Sequence, residues 1–389
     1  MYRIINKKKL FVTRVADLAG NIILFPKLLF KKEEKIVPAE IKEILVIRTA
    51  YIGDVVMTLP ILKPLKGLYP NARITFLTSL GAKDIFLNNP YVDEVLAYDA
   101  FWFYPKRLKE AIRGYGKFLK ILRSKKYDMV IEARADIRDI LLLSFFSKAR
   151  YRVSYRVGGG GYLLTHVVPY EEIKHRVDYH LDIVKYLGAG TSEIEWGLYL
   201  GGEEAKTTES LFIQERINSS ELLVGIHPGG RKELKSWKPE RFAELADKII
   251  DKYGAKVIFT GSPQEEGRIE KIKTNMSREA VNLSGKTNLR LLSGIIKKLH
   301  LFICNDSAPL HIASAMKIPT VAIFGPSKRM ETGPYGNVHR VVEKDFPCRF
   351  TCDEDVCNYK VFNECMDKIQ VEDVWDATQD ILEKTKVTR

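Results

Sequence analysis

The chain has 389 residues, 46% apolar and 29% charged, enough for two ordinary domains and unlike a disordered chain. Lys and Arg number 62 against 49 Asp and Glu, a net charge of +13 that favours anionic partners. Five cysteines exclude a disulfide-built scaffold, and no apolar run reaches the ~20 residues a membrane-spanning helix needs.

Residues 1–40 stand apart. Nine basic residues (Arg3, Lys7, Lys8, Lys9, Arg14, Lys27, Lys31, Lys32, Lys35) face four acids (Asp17, Glu33, Glu34, Glu40). Between the basic clusters lies an apolar stretch, 18–30, with Ile22, Ile23, Leu24, Phe25, Leu28, Leu29 and Phe30, interrupted by Asn21, Pro26 and Lys27. It lacks the clean apolar core and small-residue cleavage site of a secretory signal. Basic flanks around apolar residues are expected of an anchor lying on an anionic leaflet. The alternative is a helix packed on the protein's own surface with its lysines in water.

From residue 44 short apolar runs alternate with amphipathic stretches, the pattern of parallel sheets flanked by helices. Strands are expected over 44–48, 74–78, 94–98 and 129–133, with helices over 55–68, 82–88, 106–123, 137–146 and 175–187. A flexible glycine run (158–161) and a polar linker near 201–221 follow from composition. A second series has strands over 222–227, 256–260, 301–305 and 320–324 and helices over 240–252, 264–276, 289–298 and 308–316. Two Rossmann-like α/β domains are the result, 41–205 and 206–370. A helix over 371–384 opens a C-terminal segment, 371–389, that could return to the first domain. Ligands of such sheets bind beyond the carboxyl ends of strands.

Four loops at such ends offer residues for chemistry. After the first strand, Arg48-Thr49-Ala50-Tyr51-Ile52-Gly53-Asp54 leads into a helix. Helix capping is the plainer local role for Asp54; the other is a carboxylate able to take a proton from an attacking hydroxyl. In the second half, Pro228-Gly229-Gly230-Arg231-Lys232 and Lys235 combine glycines, cations and a helix start, which suits a diphosphate. Asn305-Asp306-Ser307-Ala308-Pro309-Leu310-His311 can cap a helix, or open amides to a phosphate while His311 donates a hydrogen bond. The loop 260–266 offers Glu265 to ribose hydroxyls. No G-x-x-x-x-G-K-[ST] loop, post-strand G-x-G-x-x-G or H-E-x-x-H helix occurs. Net charge alone speaks for nucleic acid, so none is expected as a partner.

In order and spacing these loops resemble the ADP-heptose:lipopolysaccharide heptosyltransferase family, glycosyltransferase family 9. The resemblance runs over residues 41–385 and rests on Ile52-Gly53-Asp54, on the Asn89-Pro90 to Val95 segment, on His227-Pro228-Gly229-Gly230 with Lys235-x-Trp237, on Phe259-Thr260-Gly261-Ser262, on Leu283-Ser284-Gly285-Lys286-Thr287, on Asn305 to His311 and on Phe324-Gly325-Pro326. It implies a GT-B fold, two Rossmann-like domains facing a cleft, and an inverting glycosyltransferase. Its donor is an ADP-sugar and its acceptor an anionic glycan or glycolipid such as lipopolysaccharide core, reached from the cytoplasm at the inner-membrane surface. On that template Asp54 is the general base and Lys235 holds the donor diphosphate. Gly230 and Arg231 line the phosphate loop; Asp306, Ser307, Ala308 and His311 form the donor motif; Glu265 meets the ribose and Thr287 the adenine pocket. The sequence departs from the pattern at Ser307-Ala308, usually Thr-Gly, and at Thr49-Ala50-Tyr51. The competing expectations are a GT-B enzyme using UDP- or GDP-sugars, and a non-catalytic sugar-nucleotide or lipopolysaccharide-binding protein.

Cys348, Cys352, Cys357 and Cys365 are spaced x3, x4 and x7. Clustered thiols admit a structural metal, though not in the paired C-x-x-C of zinc ribbons, and the alternative is free thiols in an irregular loop. No cofactor is expected for sugar transfer.

Overall fold

The computed structural model describes the chain apart from residues 1, 3, 5, 30–33, 50, 105–106, 192–193, 353–355 and 387–389, and the side chains of 25–29, 350 and 386. Arg3, Phe30, Lys31, Lys32, Glu33, Ala50 and the side chains of Phe25, Pro26, Lys27, Leu28 and Leu29, all invoked above, therefore lie outside the described residues. The chain divides into two compact units, residues 1–195 and 196–389.

The first unit holds a sheet of β1 (Glu43–Arg48), β2 (Arg73–Thr78), β3 (Glu94–Ala97), β4 (Met129–Glu132), β5 (Tyr151–Ser154) and β6 (His166–Val167), ordered β3-β2-β1-β4-β5-β6. The second holds β7 (Leu223–His227), β8 (Lys256–Phe259), β9 (Val281–Asn282), β10 (Leu301–Asn305), β11 (Thr320–Phe324) and β12 (His339–Glu343), ordered β12-β11-β10-β7-β8-β9. All neighbouring strands are parallel. Ile44, Leu45, Val46 and Ile47 of β1 are all inaccessible to solvent, as a central strand covered on both faces requires. In both units the chain starts mid-sheet, runs to one edge, then returns and builds toward the other. The strand order therefore reverses between β1 and β4 and between β7 and β10, the places where open α/β sheets bind ligands.

Four edge-side strands, β5, β6, β9 and β12, escape the sequence pattern. β6 and β9 have two residues each, and the half-exposed β12 has only Val341 and Val342 as apolar residues between polar ones. The helix expected over 55–68 is broken into Ile52–Val56, a 3-10 turn Leu59–Ile61 and Leu62–Leu68. Pro60 and Pro64 remove the amides a continuous helix needs. The stretch 137–146 opens as one α-turn, Ile137–Asp139, and continues as a π-helix, Ile140–Phe145.

The polar linker near 201–221 is corrected: residues Gly202–Gln214 form a helix of the second unit. Glu204 accepts from the Gly201 amide and pairs with buried Arg290, while Thr208 and Phe212 are buried. Polar composition concealed these few inward residues. The units also part at 195/196, upstream of the expected 205/206. The glycine run is a packed turn: Gly159 and Gly160 take positive φ (91° and 77°), and the Gly160 amide donates to Asp17 at 2.7 Å. The last helix, Val371–Lys386, packs on β11, β12 and the helix Pro239–Tyr253 of the second unit.

The first helix, Lys7–Leu29, docks on its unit through Thr13, Asp17, Gly20 and Leu24, one face at i, i+4, i+7, i+11 spacing. Asp17 also accepts from Tyr2, and Lys9 pairs with Asp136 at 3.4 Å. The docked face is small and polar. The outward face carries Phe11, Val12, Val15, Leu18, Ile22 and Ile23, with Phe11 69% and Ile23 74% exposed.

Candidate active site

At the switch point of the first sheet, Arg48 ends β1 and Asp54 lies in the first turn of the helix Ile52–Val56. Tyr51 holds the cap position and no side chain caps that helix. The Asp54 carboxylate instead pairs with Arg48, Oδ1 to Nη2 at 3.0 Å, and remains 27% exposed. The N-cap position, the plainer local expectation for Asp54, is thus held by Tyr51, and Asp54 lies within the first turn.

The loop after neighbouring β4 supplies a dense ionic group. Glu132 accepts from the amides of Arg134 and Ala135 and from Ser154 Oγ, at 3.0, 2.8 and 2.7 Å. Burial, reinforced by the charge of Asp139, pushes Glu132 above the ordinary carboxylate range, against the hydrogen bonds it accepts. Asp139 accepts from Thr49 Oγ1 at 3.1 Å and Trp102 Nε1 at 2.8 Å, and burial with the charge of Asp136 pushes it up to about 6. Asp136 behaves oppositely: burial acts against its charge, but Arg138, held by Nε and Nη2 at 2.8 and 2.7 Å, and Lys9 keep it ionised. Arg134 and Arg138 both lie over the Phe103 ring, at 3.8 and 4.7 Å. A partly exposed carboxylate beside arginines can take a proton from a hydroxyl whose substrate carries negative charge.

At the second switch point Lys235, in the 3-10 turn Glu233–Lys235, reaches Asp306 beyond β10, with Nζ to Oδ2 at 2.9 Å. The structure thus brings together two residues expected for the donor. Asn305 ties their loops: its Nδ2 donates to Pro228 O at 2.8 Å, and its Oδ1 accepts from the Trp237 amide at 3.2 Å. Fully buried Trp237 donates through Nε1 to Ile369 O at 2.9 Å, fixing the far end of the lysine turn.

Glu265 lies against Gly229 so closely that a Cβ there would collide with its carboxylate. It accepts from the Ser262 amide and hydroxyl at 2.7 and 2.9 Å. Burial raises Glu265, but His227 at 3.8 Å and hydrogen bonds from Ser262 and the Gly230 amide bring it below the ordinary carboxylate range. Burial pushes His227 itself down. Glu265, expected to meet the ribose, thus also braces the glycine loop.

Ser307 is the N-cap of the helix Ala308–Ala315 but makes no side-chain cap, and its Oγ is buried without a hydrogen-bond partner among the described residues. His311 is buried one turn into that helix, Arg231 is exposed, and Thr287 is half-buried after β9. A neighbouring ammonium, a small-residue helix start and a glycine loop together have the chemistry to accept a phosphorylated group.

Sequence reasoning missed the roles of Arg48 and Asn305. A lone charge ending the run Ile44-Leu45-Val46-Ile47 was the available signal for Arg48. Asn305 had none beyond its place at a strand end.

The four clustered cysteines line one small cavity of about 10 Å³ with Leu234, Phe346 and Tyr359, and all are free thiols. The Asn358 amide donates to Cys352 Sγ at 3.2 Å and the Asn363 amide to Cys357 Sγ at 3.5 Å. Among the described residues no three His, Cys, Asp or Glu side chains stand in a metal-holding arrangement.

Three comparisons accord with this geometry. A lipopolysaccharide core heptosyltransferase, OpsX, of Haemophilus influenzae is 26% identical over 307 residues, 77% of this chain and 84% of its own length. The crystal structure of a glycosyl transferase family 9 protein from Veillonella parvula covers 88% of this chain and 97% of its own at 24% identity, with a TM-score of 0.75. That of Escherichia coli ADP-heptose lps heptosyltransferase II covers 88% and 99% at 21% identity, with a TM-score of 0.71. These two share the fold, of the GT-B class. The family model for glycosyltransferase family 9 (heptosyltransferase) matches residues 115–361, well over half of the chain. With its loops already placed at two switch points, the chain belongs to glycosyltransferase family 9 and is a glycosyltransferase.

Proposed function

We propose that the protein transfers a heptose from ADP-heptose to a hydroxyl of a lipopolysaccharide core, or a related anionic glycan, with inversion at the sugar carbon. The observation that carries this reading is the Lys235–Asp306 pair beside the Gly229–Gly230 loop, a phosphate site where the family expects its donor. The relatives' names supply heptose and lipopolysaccharide.

In the reaction the acceptor oxygen bonds to the anomeric carbon as its bond to the β-phosphate oxygen breaks, and ADP leaves with the electron pair. Asp54 takes the hydroxyl proton, and Lys235 offsets charge growing on the leaving phosphate. Ser307, Ala308 and His311 hold the diphosphate beside Asp306, Gly230 and Arg231 border it, and Glu265 and Thr287 face the nucleoside. Arg134 and Arg138 fit the acceptor's negative charge. Calorimetry with ADP, UDP and GDP, followed by transfer assays with ADP-heptose, tests this: selective ADP binding with transfer is expected. Preference for UDP or GDP would discard the heptose assignment, and binding without transfer would favour a non-catalytic protein.

The first helix is proposed to lie on an anionic membrane surface, with the enzyme at the cytoplasmic face. Among the described residues no helix is long and apolar enough to cross a membrane. Its polar face is already spent on the protein and its apolar face meets solvent beside Lys7, Lys8 and Arg14. Replacing Phe11, Val15, Leu18 and Ile22 with Ser should lower partition onto phosphatidylglycerol vesicles by about 1,000-fold, at ~1 kcal/mol per partly inserted side chain. ADP affinity should stay unchanged. Equal partition of the variant and the parent would refute the assignment.

Four thiols around one cavity, two of them already accepting amide hydrogen bonds, are further proposed as a structural metal site whose ligands close up on binding. Elemental analysis of the purified protein should find about one zinc or iron per chain, lost on replacing Cys352 and Cys357 with Ser; metal-free protein with unchanged stability would discard the site.

A further inference from the structure

Arg48 is 5% exposed, yet nothing about strand β1 calls for a charge there. Burying a guanidinium is costly unless its donors are paired. Its Nη2 meets Asp54 Oδ1 at 3.0 Å, while Nε and Nη1 are buried without a hydrogen-bond partner among the described residues. Of the other charges facing Arg48, Arg134 and Arg176 repel it, and Glu132, which attracts it, is pushed toward its neutral form by burial. His180, also facing it, is fully buried and pushed down to about 3, chiefly by burial and then by the Arg48 charge. Its Nδ1 lies 3.0 Å from Met57 O, so the ring donates there, and its Nε2 is left without a hydrogen-bond partner among the described residues. Neither residue offers Arg48 a second anion.

A buried cation with one anionic partner serves that partner. We propose that Arg48 is the positioning residue for the Asp54 carboxylate. It fixes the orientation of Oδ1 from the rigid end of the central strand and keeps the group ionised for the acceptor hydroxyl. This rests on Asp54 being the base. No other step of the proposed reaction uses Arg48, whose short tether to β1 gives the aim that a surface lysine would lack.

The sign follows from charge. A neighbouring cation favours the ionised carboxylate, so removing it raises the proton affinity of Asp54. Activity that needs ionised Asp54 should then fail at a higher pH. In Arg48→Gln the acid limb of the kcat/KM profile should move up by about one pH unit or more, with kcat down at least about tenfold and the donor KM within twofold. Arg48→Lys, which keeps the charge but not the planar fork, should leave the limb in place and recover only part of kcat.

An Arg48→Gln enzyme with an unmoved acid limb overturns the proposal, whether or not kcat falls, since general loosening of the fold would not shift that limb specifically. If Arg48→Gln fails to fold, Arg48→Lys decides: reduced kcat on an unmoved limb supports the proposal, and full kcat overturns it. Asp54→Asn in the same assay separates the two ideas. If it retains turnover, the base assignment itself is wrong; if it is inactive while Arg48→Gln behaves as the parent, only the role of Arg48 falls.

Discussion

Asp54→Asn should abolish transfer almost completely, lowering kcat by about 10²–10⁴-fold, or roughly 3–5 kcal/mol of barrier. The amide keeps the shape of the carboxylate but cannot accept the acceptor's proton at neutral pH. ADP affinity should be unchanged, because the donor loops belong to the second unit. The substitution also leaves buried Arg48 without its anion, so the melting temperature must be read beside the rate. A folded Asp54→Asn enzyme that binds ADP and does not turn over supports the base. Turnover near the parent's would place the base elsewhere, with the buried acids after β4, Asp136 and Asp139, as the next candidates to replace.

Lys235→Ala should weaken ADP binding by about tenfold or more and lower kcat further, a combined loss of about 10²–10³-fold in kcat/KM. Two effects act together. The ammonium that would meet the leaving diphosphate is gone, and Asp306, nine-tenths buried, becomes an uncompensated carboxylate facing the phosphate. A double variant can separate them. If both contribute, Lys235→Ala with Asp306→Asn should bind ADP better than Lys235→Ala alone, although worse than the parent. Were the lysine only a structural partner of Asp306, the double variant would bind as the parent does.

How far the sequence sufficed differs between elements. The central strands could be read because a strand buried on both faces must be apolar throughout, as in Ile44–Ile47 and Leu301–Cys304. The edge strands carry no such pattern. Asp54, Lys235 and Asp306 could be picked out because chemistry in these sheets collects after strands, yet their local spacing left capping open. What the structure adds is Tyr51 at the N-cap and the 3.0 Å contact of Asp54 to Arg48, which no spacing encodes. The helix after Gly201 was taken for a linker because only Thr208 and Phe212 turn inward, too few to print a periodicity over its length. Glu265 was placed near the nucleotide by its loop, but its grip on Gly229 arises from two loops that sequence separates by more than thirty residues.

Each sheet reverses its strand order once and hangs its working loops from that one seam. On the proposed reading, acceptor chemistry is written around residues 48–54 and 132–139, and donor chemistry around 227–235 and 305–311, in separate units with no residue in common. Two vocabularies that share no letters can be edited apart. A descendant could trade one acceptor for another by rewriting Arg134 and Arg138 while inheriting its nucleotide site intact, and paired changes across the two sets should multiply in rate without interfering. Divergence by halves is what such a chain permits.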